Sequence, residues 1–231
     1  MIKVKGNGEI ISAERSVSSF IRVHVSVSGT VELIQSDEEK VIIEADENLH
    51  EYIEVVNSGR TLYITMDGKW RIPDFTTLKV KVYYRQVFTI YNGCVNGTLT
   101  CANTLTSSQP VEIKIYSDKS NSKLNINAPA IKLITACVGD VEIEGACNTL
   151  EVNAKSQGNL YARQLVAKNT ILKNYSQGNL EIYADETLAI SNYGEGNISY
   201  WGNGILKDIK QYGSGEVKHK KADESDIPAN S

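Results

Sequence analysis

From Cys137 to Lys218 the chain repeats one short alternation of polar and apolar positions. Val138-Gly139-Asp140-Val141-Glu142-Ile143, Gln157-Gly158-Asn159-Leu160-Tyr161-Ala162 and Gln177-Gly178-Asn179-Leu180-Glu181-Ile182 are copies of one unit. Glu195-Gly196-Asn197-Ile198-Ser199-Tyr200 and Ser214-Gly215-Glu216-Val217-Lys218-His219 continue it, and the glycines stand 19, 20, 18 and 19 residues apart. Ser122-Lys123-Leu124 and Gly97-Thr98-Leu99 fit further back, at intervals of 17 and 25, and Gly29-Thr30-Val31-Glu32-Leu33 is an earlier instance. Gly followed by Asn or Asp reads as a turn, since both tolerate the left-handed region. Two and four places beyond each glycine come apolar residues, with Glu, Tyr or Ser between them. A period of two is a strand with one buried face. A second short strand follows half a unit later at Leu150 and Val152 and at Leu188 and Ile190, with Ile171 and Ile205 nearby.

So small a unit cannot bury its apolar face alone, whereas coils stacked one on the next share a core. The pattern therefore predicts an all-β solenoid with rungs of about nineteen residues. The stretch from Gly97 to Gly215 makes a stack about 29 Å tall at one strand spacing per coil. A β-sandwich explains short strands but not the same turn chemistry at one-circuit intervals. The first ninety residues are less regular. Strands are readable at residues 20–27, 31–35, 41–45, 61–66 and 78–84, and some are expected to pair antiparallel and close the first rung, since an open solenoid end invites another chain. Asp67 to Asp74 reads as an excursion loop. The expected organisation is one solenoid domain over 1–217, irregular to residue 90 and regular over 91–217. A polar, frayed tail over 218–231 follows it, beginning with Lys218, His219, Lys220 and Lys221 as charged edge protection.

Equivalent positions in successive coils must lie above one another. Twelve of the aromatic residues are tyrosines, and Tyr175, Tyr193 and Tyr212 each lie three places before a turn glycine, each preceded by an amide: Asn174, Asn192 and Gln211. They predict an aromatic ladder beside an amide ladder, which is either structural or a contact surface. Tyr183 and Trp201 share another register, five after the glycine, and Tyr161 lies three after it; all three are expected to point outward. With the ladder they make the candidate binding residues.

Composition narrows the functional classes. With 24 Lys and Arg against 28 Asp and Glu, the net charge of −4 disfavours nucleic acid as a partner. No apolar run is long enough to cross a bilayer as a helix. The first residues carry no apolar leader, so the sequence reads as either a cytoplasmic protein or an exported one whose leader was removed. Cys94, Cys101, Cys137 and Cys147 show no metal-ligand spacing. They are either two disulfides or small buried hydrophobes, the latter favoured in a chain long enough to form a core without staples. His24, His50 and His219 are isolated, so no metal or cofactor is expected. There is no G-x-S-x-G, and the Gly-x-Gly pairs open no helix that could hold an anion. Glu142 and Glu181 share one register with Tyr161 between them. At about 9.6 Å apart they suit an inverting glycosidase, but a solvated strand face explains them better.

Gly6-Asn7-Gly8, Arg15-Ser16-Val17-Ser18-Ser19-Phe20, Val23-His24-Val25-Ser26-Val27-Ser28-Gly29, Val31-Glu32-Leu33-Ile34-Gln35 and Val41-Ile42-Ile43-Glu44-Ala45-Asp46 follow in order. This set, with the later Gly-Asn turns, resembles the putative auto-transporter adhesin family with a GIN head domain, over roughly residues 6–217. The resemblance implies a right-handed, mostly parallel β-helix. It also implies export, often as a lipoprotein or envelope protein, and an adhesive or scaffolding role with no catalytic residues to carry over. A lipid anchor would belong to the full-length precursor. The reading is thus a non-enzymatic cell-envelope or secreted solenoid engaging an extracellular glycan or protein through exposed strand faces, with a polysaccharide-cleaving β-helix as the alternative.

Overall fold

The structure, a computed structural model, describes residues 2–66 and 71–221. From Asn96 onward the chain coils upward in parallel register. Leu99 is paired with Ser122, Ser122 with Val141, Val141 with Leu160, Leu160 with Leu180, Leu180 with Ile198 and Ile198 with Val217. The opposite wall repeats this: Ile90, Ile113, Leu133, Val152, Leu172, Ile190 and Ile209 form one inward column. Val141, Ile143, Leu160, Ala162, Leu180, Ile182, Leu150, Val152, Leu188 and Ile190 are all buried, as the alternation requires, while Ile171 and Ile205 point out. One alignment is corrected. Ser120, and not Ser122, stands in the glycine column, because Ser122 pairs with Val141; the true steps are 23 and 19 residues, in place of 25 and 17.

The physical reason for the glycines is also corrected. Gly139, Gly158, Gly178, Gly196 and Gly215 are absent from the positive-φ glycines. A Cβ on each would collide with the carbonyl oxygen of the residue one coil below: Ser120, Gly139, Gly158, Gly178 and Gly196 in turn. Close approach of neighbouring coils excludes side chains there. The polar residue after each glycine serves the same column. The Asp140 carboxylate accepts the Asn159 N–H (2.7 Å), Asn159 Oδ1 accepts that of Asn179 (2.9 Å), Asn179 that of Asn197 (3.0 Å) and Asn197 that of Glu216 (2.9 Å). Each corner is thereby hydrogen-bonded to the next.

The first coils do not stack in sequence order. Val23 pairs with Leu62 on one side and Ile90 on the other, and Val31 with Val80 and Leu99. The strands Thr61–Met66 and Leu78–Tyr84 therefore lie beneath Arg22–Ser26 and Gly29–Gln35, while Thr89–Asn92 and Asn96–Cys101 lie above them. Antiparallel strands finish this end, as expected. Lys40–Asp46 pairs with Leu78–Tyr84, Ile10–Ser16 with Lys40–Asp46, and Ile53–Ser58 with Thr61–Met66. The 3-10 turn Glu47–Tyr52 brings Leu49 into the core with no exposed surface. Half of the expected excursion loop, residues 67–70, lies outside the described residues. The other half is corrected: Arg71–Asp74 is a strand, paired parallel with Ile2–Lys5 in a separate two-stranded sheet, where Pro73 is tolerated because both strands are edges.

All four cysteines are free; Cys94, Cys137 and Cys147 are buried and Cys101 partly so. Burial raises each thiol pKa, that of Cys147 to about 12, so these are packing residues with little thiolate character. The last strand, Val217–His219, carries Lys218 and His219 into the stack, and residues 222–231 lie outside the described residues. Among the described residues no helix is long and apolar enough to cross a membrane.

Candidate functional site

Strand alternation fixes which side chains reach solvent. On the wall that follows the glycine corner, one outward column runs Lys123, Glu142, Tyr161, Glu181, Ser199, Lys218. Two residues along, Asn125 pairs with Glu144, and higher up Tyr183 with Trp201. Tyr161 is exposed, and Tyr183 and Trp201 are half-buried at outward positions. The Arg163 guanidinium lies 5.2 Å from the Trp201 ring centroid, in cation–π range. Lys123 Nζ bridges to Glu142 at 2.9 Å, and Asn125 Nδ2 donates to Glu144 at 2.9 Å. Below Tyr161 the wall opens into a groove of about 360 Å³ lined by Thr98, Thr100, Lys123, Asp140, Glu142 and Tyr161. Hydroxyls, a lysine, carboxylates and aromatic rings thus share one outward strip of this wall.

Tyr175, Tyr193 and Tyr212 are brought together elsewhere, at the end of the opposite wall just before the corner. Their rings stack with centroids 4.8 and 4.9 Å apart and planes within 5° and 10°. Lys155 Nζ closes the lower face of the stack, 5.7 Å from the Tyr175 centroid. Inward of the rings runs the predicted amide ladder: Asn174 Nδ2 donates to Asn192 Oδ1 (2.9 Å), and Asn192 Nδ2 to Gln211 Oε1 (3.3 Å) and to the Gly215 carbonyl (2.9 Å). Because the rings cover one another, the stack shows edges and hydroxyls to solvent. A ligand that packs on an aromatic face finds one only at Tyr212. The six candidate aromatics therefore form two sites and not one surface.

A second aromatic stack escapes sequence reading. His24 lies 4.1 Å from Tyr91 and 5.2 Å from Tyr63, centroid to centroid, and Tyr91 lies 5.5 Å from Tyr116. Burial lowers the His24 pKa, which favours the neutral ring in the stack. Tyr116 continues through Ala136 and Lys155 to Tyr175, because the amide of each bonds to the coil below. Aromatic rings thus mark one outer face in its lower and its upper coils, with Ala136 and Lys155 between the two groups. The only signal was His and Tyr at alternating strand positions; the intervals between coils are irregular here.

Two of the carboxylates share a register, and others are held in ion pairs. Glu142 and Glu181 share their column across Tyr161, and Glu142 is tied to Lys123. Hydrogen bonds from Lys40, Lys114 and Lys218 hold Glu38, Glu112 and Glu216 below the usual carboxylate range, opposite to what a general acid needs. Among the described residues no group of three or more His, Cys, Asp or Glu is placed to hold a metal ion.

Residues 19–204 match the model of a family described as putative auto-transporter adhesin, head GIN domain. The chain is similar in structure to a putative adhesin from Bacteroides fragilis NCTC 9343 (TM-score 0.88, 21% identity, covering 94% of this chain and 100% of that one). It is also similar to a putative adhesin from Parabacteroides distasonis ATCC 8503 (0.71, 23%, covering 94% and 100%). A putative lipid binding protein from the same organism is likewise similar (0.71, 19%, covering 95% and 100%). At these identities the likeness is one of fold. No curated protein matches the chain.

Proposed function

The chain belongs to the head GIN domain family of putative auto-transporter adhesins, and from that premise we propose a non-enzymatic adhesin or scaffold of the cell envelope or exterior. It engages an extracellular glycan, or failing that a protein, on the wall that carries Tyr161, Tyr183 and Trp201. The observation that carries this reading is the outward Tyr183–Trp201 pair with Arg163 against Trp201, adjoining the groove at Tyr161. Aromatic rings beside hydroxyls and charged groups on a rigid exposed surface are the composition of a recognition site. The Tyr175–Tyr193–Tyr212 stack, on the opposite wall, takes the supporting part and braces the coils that carry the site.

The test is a glycan array together with a pull-down from surface proteins, using the full chain beside Tyr183→Ala and Trp201→Ala. Both variants are expected to keep the wild-type melting temperature within a few degrees and to lose binding tenfold or more, about 1.4 kcal/mol. No ligand in either screen overturns the reading, as does a pair of variants that unfold readily. New reducing ends or unsaturated products released from a bound polysaccharide would turn the assignment to glycan cleavage.

A further inference from the structure

Among the described residues the two ends of the stack are finished differently: antiparallel strands at the amino end, and at the carboxyl end a strand in the same parallel register as the coils beneath it. The inward column that runs from Leu62 and Val23 through Ile90 to Ile190 is buried throughout, and at the amino end the turn Glu47–Tyr52, with Leu49 fully buried, and antiparallel strands follow the first coils. At the carboxyl end the same column finishes on Ile209, 41% exposed, and its neighbour on Leu206, 39% exposed, although Ile190 and Leu188 directly beneath are buried. The strand Ile205–Gln211 pairs with Thr187–Asn192 on one side, and no strand among the described residues pairs with its other edge. An exposed strand edge beside unfinished core positions is a template for another strand.

The order of residues on this edge says which strand. The register slips between Leu188 and Ala189, which leaves Lys207 as the extra residue of a bulge and puts Leu206 and Ile209 on the same inward face. Laid antiparallel against itself about a point between Lys207 and Asp208, the strand sets Leu206 opposite Ile209, Lys207 opposite Asp208, and Ile205 opposite Lys210. Leu206 and Ile209 meet twice and so do the opposite charges, while the exposed Ile205 faces the methylene stem of Lys210. A head-to-tail stack has no such match, since at the other end the turn Glu47–Tyr52 and strands running against the coils block parallel continuation. We propose that the carboxyl end docks a second copy of this chain, tail to tail about a two-fold axis, through antiparallel pairing of Ile205–Gln211. Such a contact is closed and self-complementary, so it stops at a dimer.

Sedimentation equilibrium of the full chain over about 1 to 300 µM tests this, with a dissociation constant in the micromolar range expected. Lys207→Asp places like charges opposite each other twice and is expected to weaken the dimer tenfold or more. Lys207→Asp with Asp208→Lys exchanges the two charges and is expected to restore it. Both positions are exposed, so circular dichroism should be unchanged. A species that stays at 25.5 kDa throughout overturns the proposal. So does a dimer indifferent to Lys207→Asp, or a double variant that fails to recover.

Discussion

A methyl group on Gly178 would run into the Gly158 carbonyl, whereas one on Gly59 would meet nothing within 4 Å, although Gly59 has φ of 57°. The two glycines are therefore kept for different reasons, and substitution separates them. Gly178→Ala must push two coils apart and is expected to cost on the order of 3 kcal/mol in urea unfolding. Gly59→Ala strains only its own backbone, at about 1 kcal/mol. The glycine positions were legible in the sequence, but their cause was not: a local rule about turns points to φ, and the contact that decides is made with a residue about nineteen places away. Asp46 lay equally far from sequence reading. Fully buried, it accepts the amides of Gly8 (2.9 Å) and Thr76 (2.7 Å). Burial by itself would raise its pKa; the Thr76 hydroxyl and the amides of Gly8, Thr76 and Thr77 together outweigh burial and hold it below the ordinary value. A lowered folded value means stability that is present above the unfolded pKa near 3.9 and is lost as the pH falls through the folded one. Asp46→Asn is expected to cost about 2 kcal/mol at pH 7. The gap to wild type should close as unfolding is followed down from about pH 4.

At the scale of the strand, the same side chain does different work according to whether its ring faces are covered. Tyr193 lies between Tyr175 and Tyr212, with Asn192 inward of it bonded to coils above and below. Tyr193→Ala removes two stacked pairs, a loss of about 1 to 3 kcal/mol at about 0.5 to 1.5 each, and should leave ligand binding intact. Tyr183→Ala should do the reverse. Thermal melts and the binding assay on the same two proteins check both halves of that expectation. These ladders could be read in advance because the coils that form them recur at 18 and 19 residues, so like residues line up on paper as in space. The Tyr63–His24–Tyr91 stack could not, since its members are 39 and 67 residues apart, and the order in chain is not the order in the column.

The stacking order matters most for the molecule as a whole. In a one-dimensional stack each coil is held by its two neighbours, so stability is a sum of local interfaces and unfolding starts where a neighbour is missing. The regular half announces itself as such a stack; the amino-terminal part does not, because the coil that comes second in the chain is laid beneath the first. That reversal has a mechanical consequence. It places the Gly29–Gln35 strand between Leu78–Tyr84 and Asn96–Cys101, pairing segments up to 68 residues apart, and buries the first coil at the cost of slow, non-local contacts. The carboxyl end, by contrast, is added coil by coil and ends on the half-exposed Leu206 and Ile209. Native-state hydrogen exchange at a concentration well below the dissociation constant, where the proposed dimer has come apart, should therefore show a gradient. Amides of Ile205–Gln211 and Val217–His219 should exchange first, those of Thr187–Asn192 and Ile198–Trp201 next, and those of Arg22–Ser26 and Thr89–Asn92 only with global unfolding. Leu49→Ala leaves a cavity beside the antiparallel strands of the amino end, with a loss of about 2 to 5 kcal/mol for a buried leucine. It should bring the exchange of Thr61–Met66 forward while leaving that of the last coils unchanged. If the two ends were instead to exchange together in the wild-type chain, the solenoid would be unfolding as one unit and the asymmetry of its ends would carry no energetic weight.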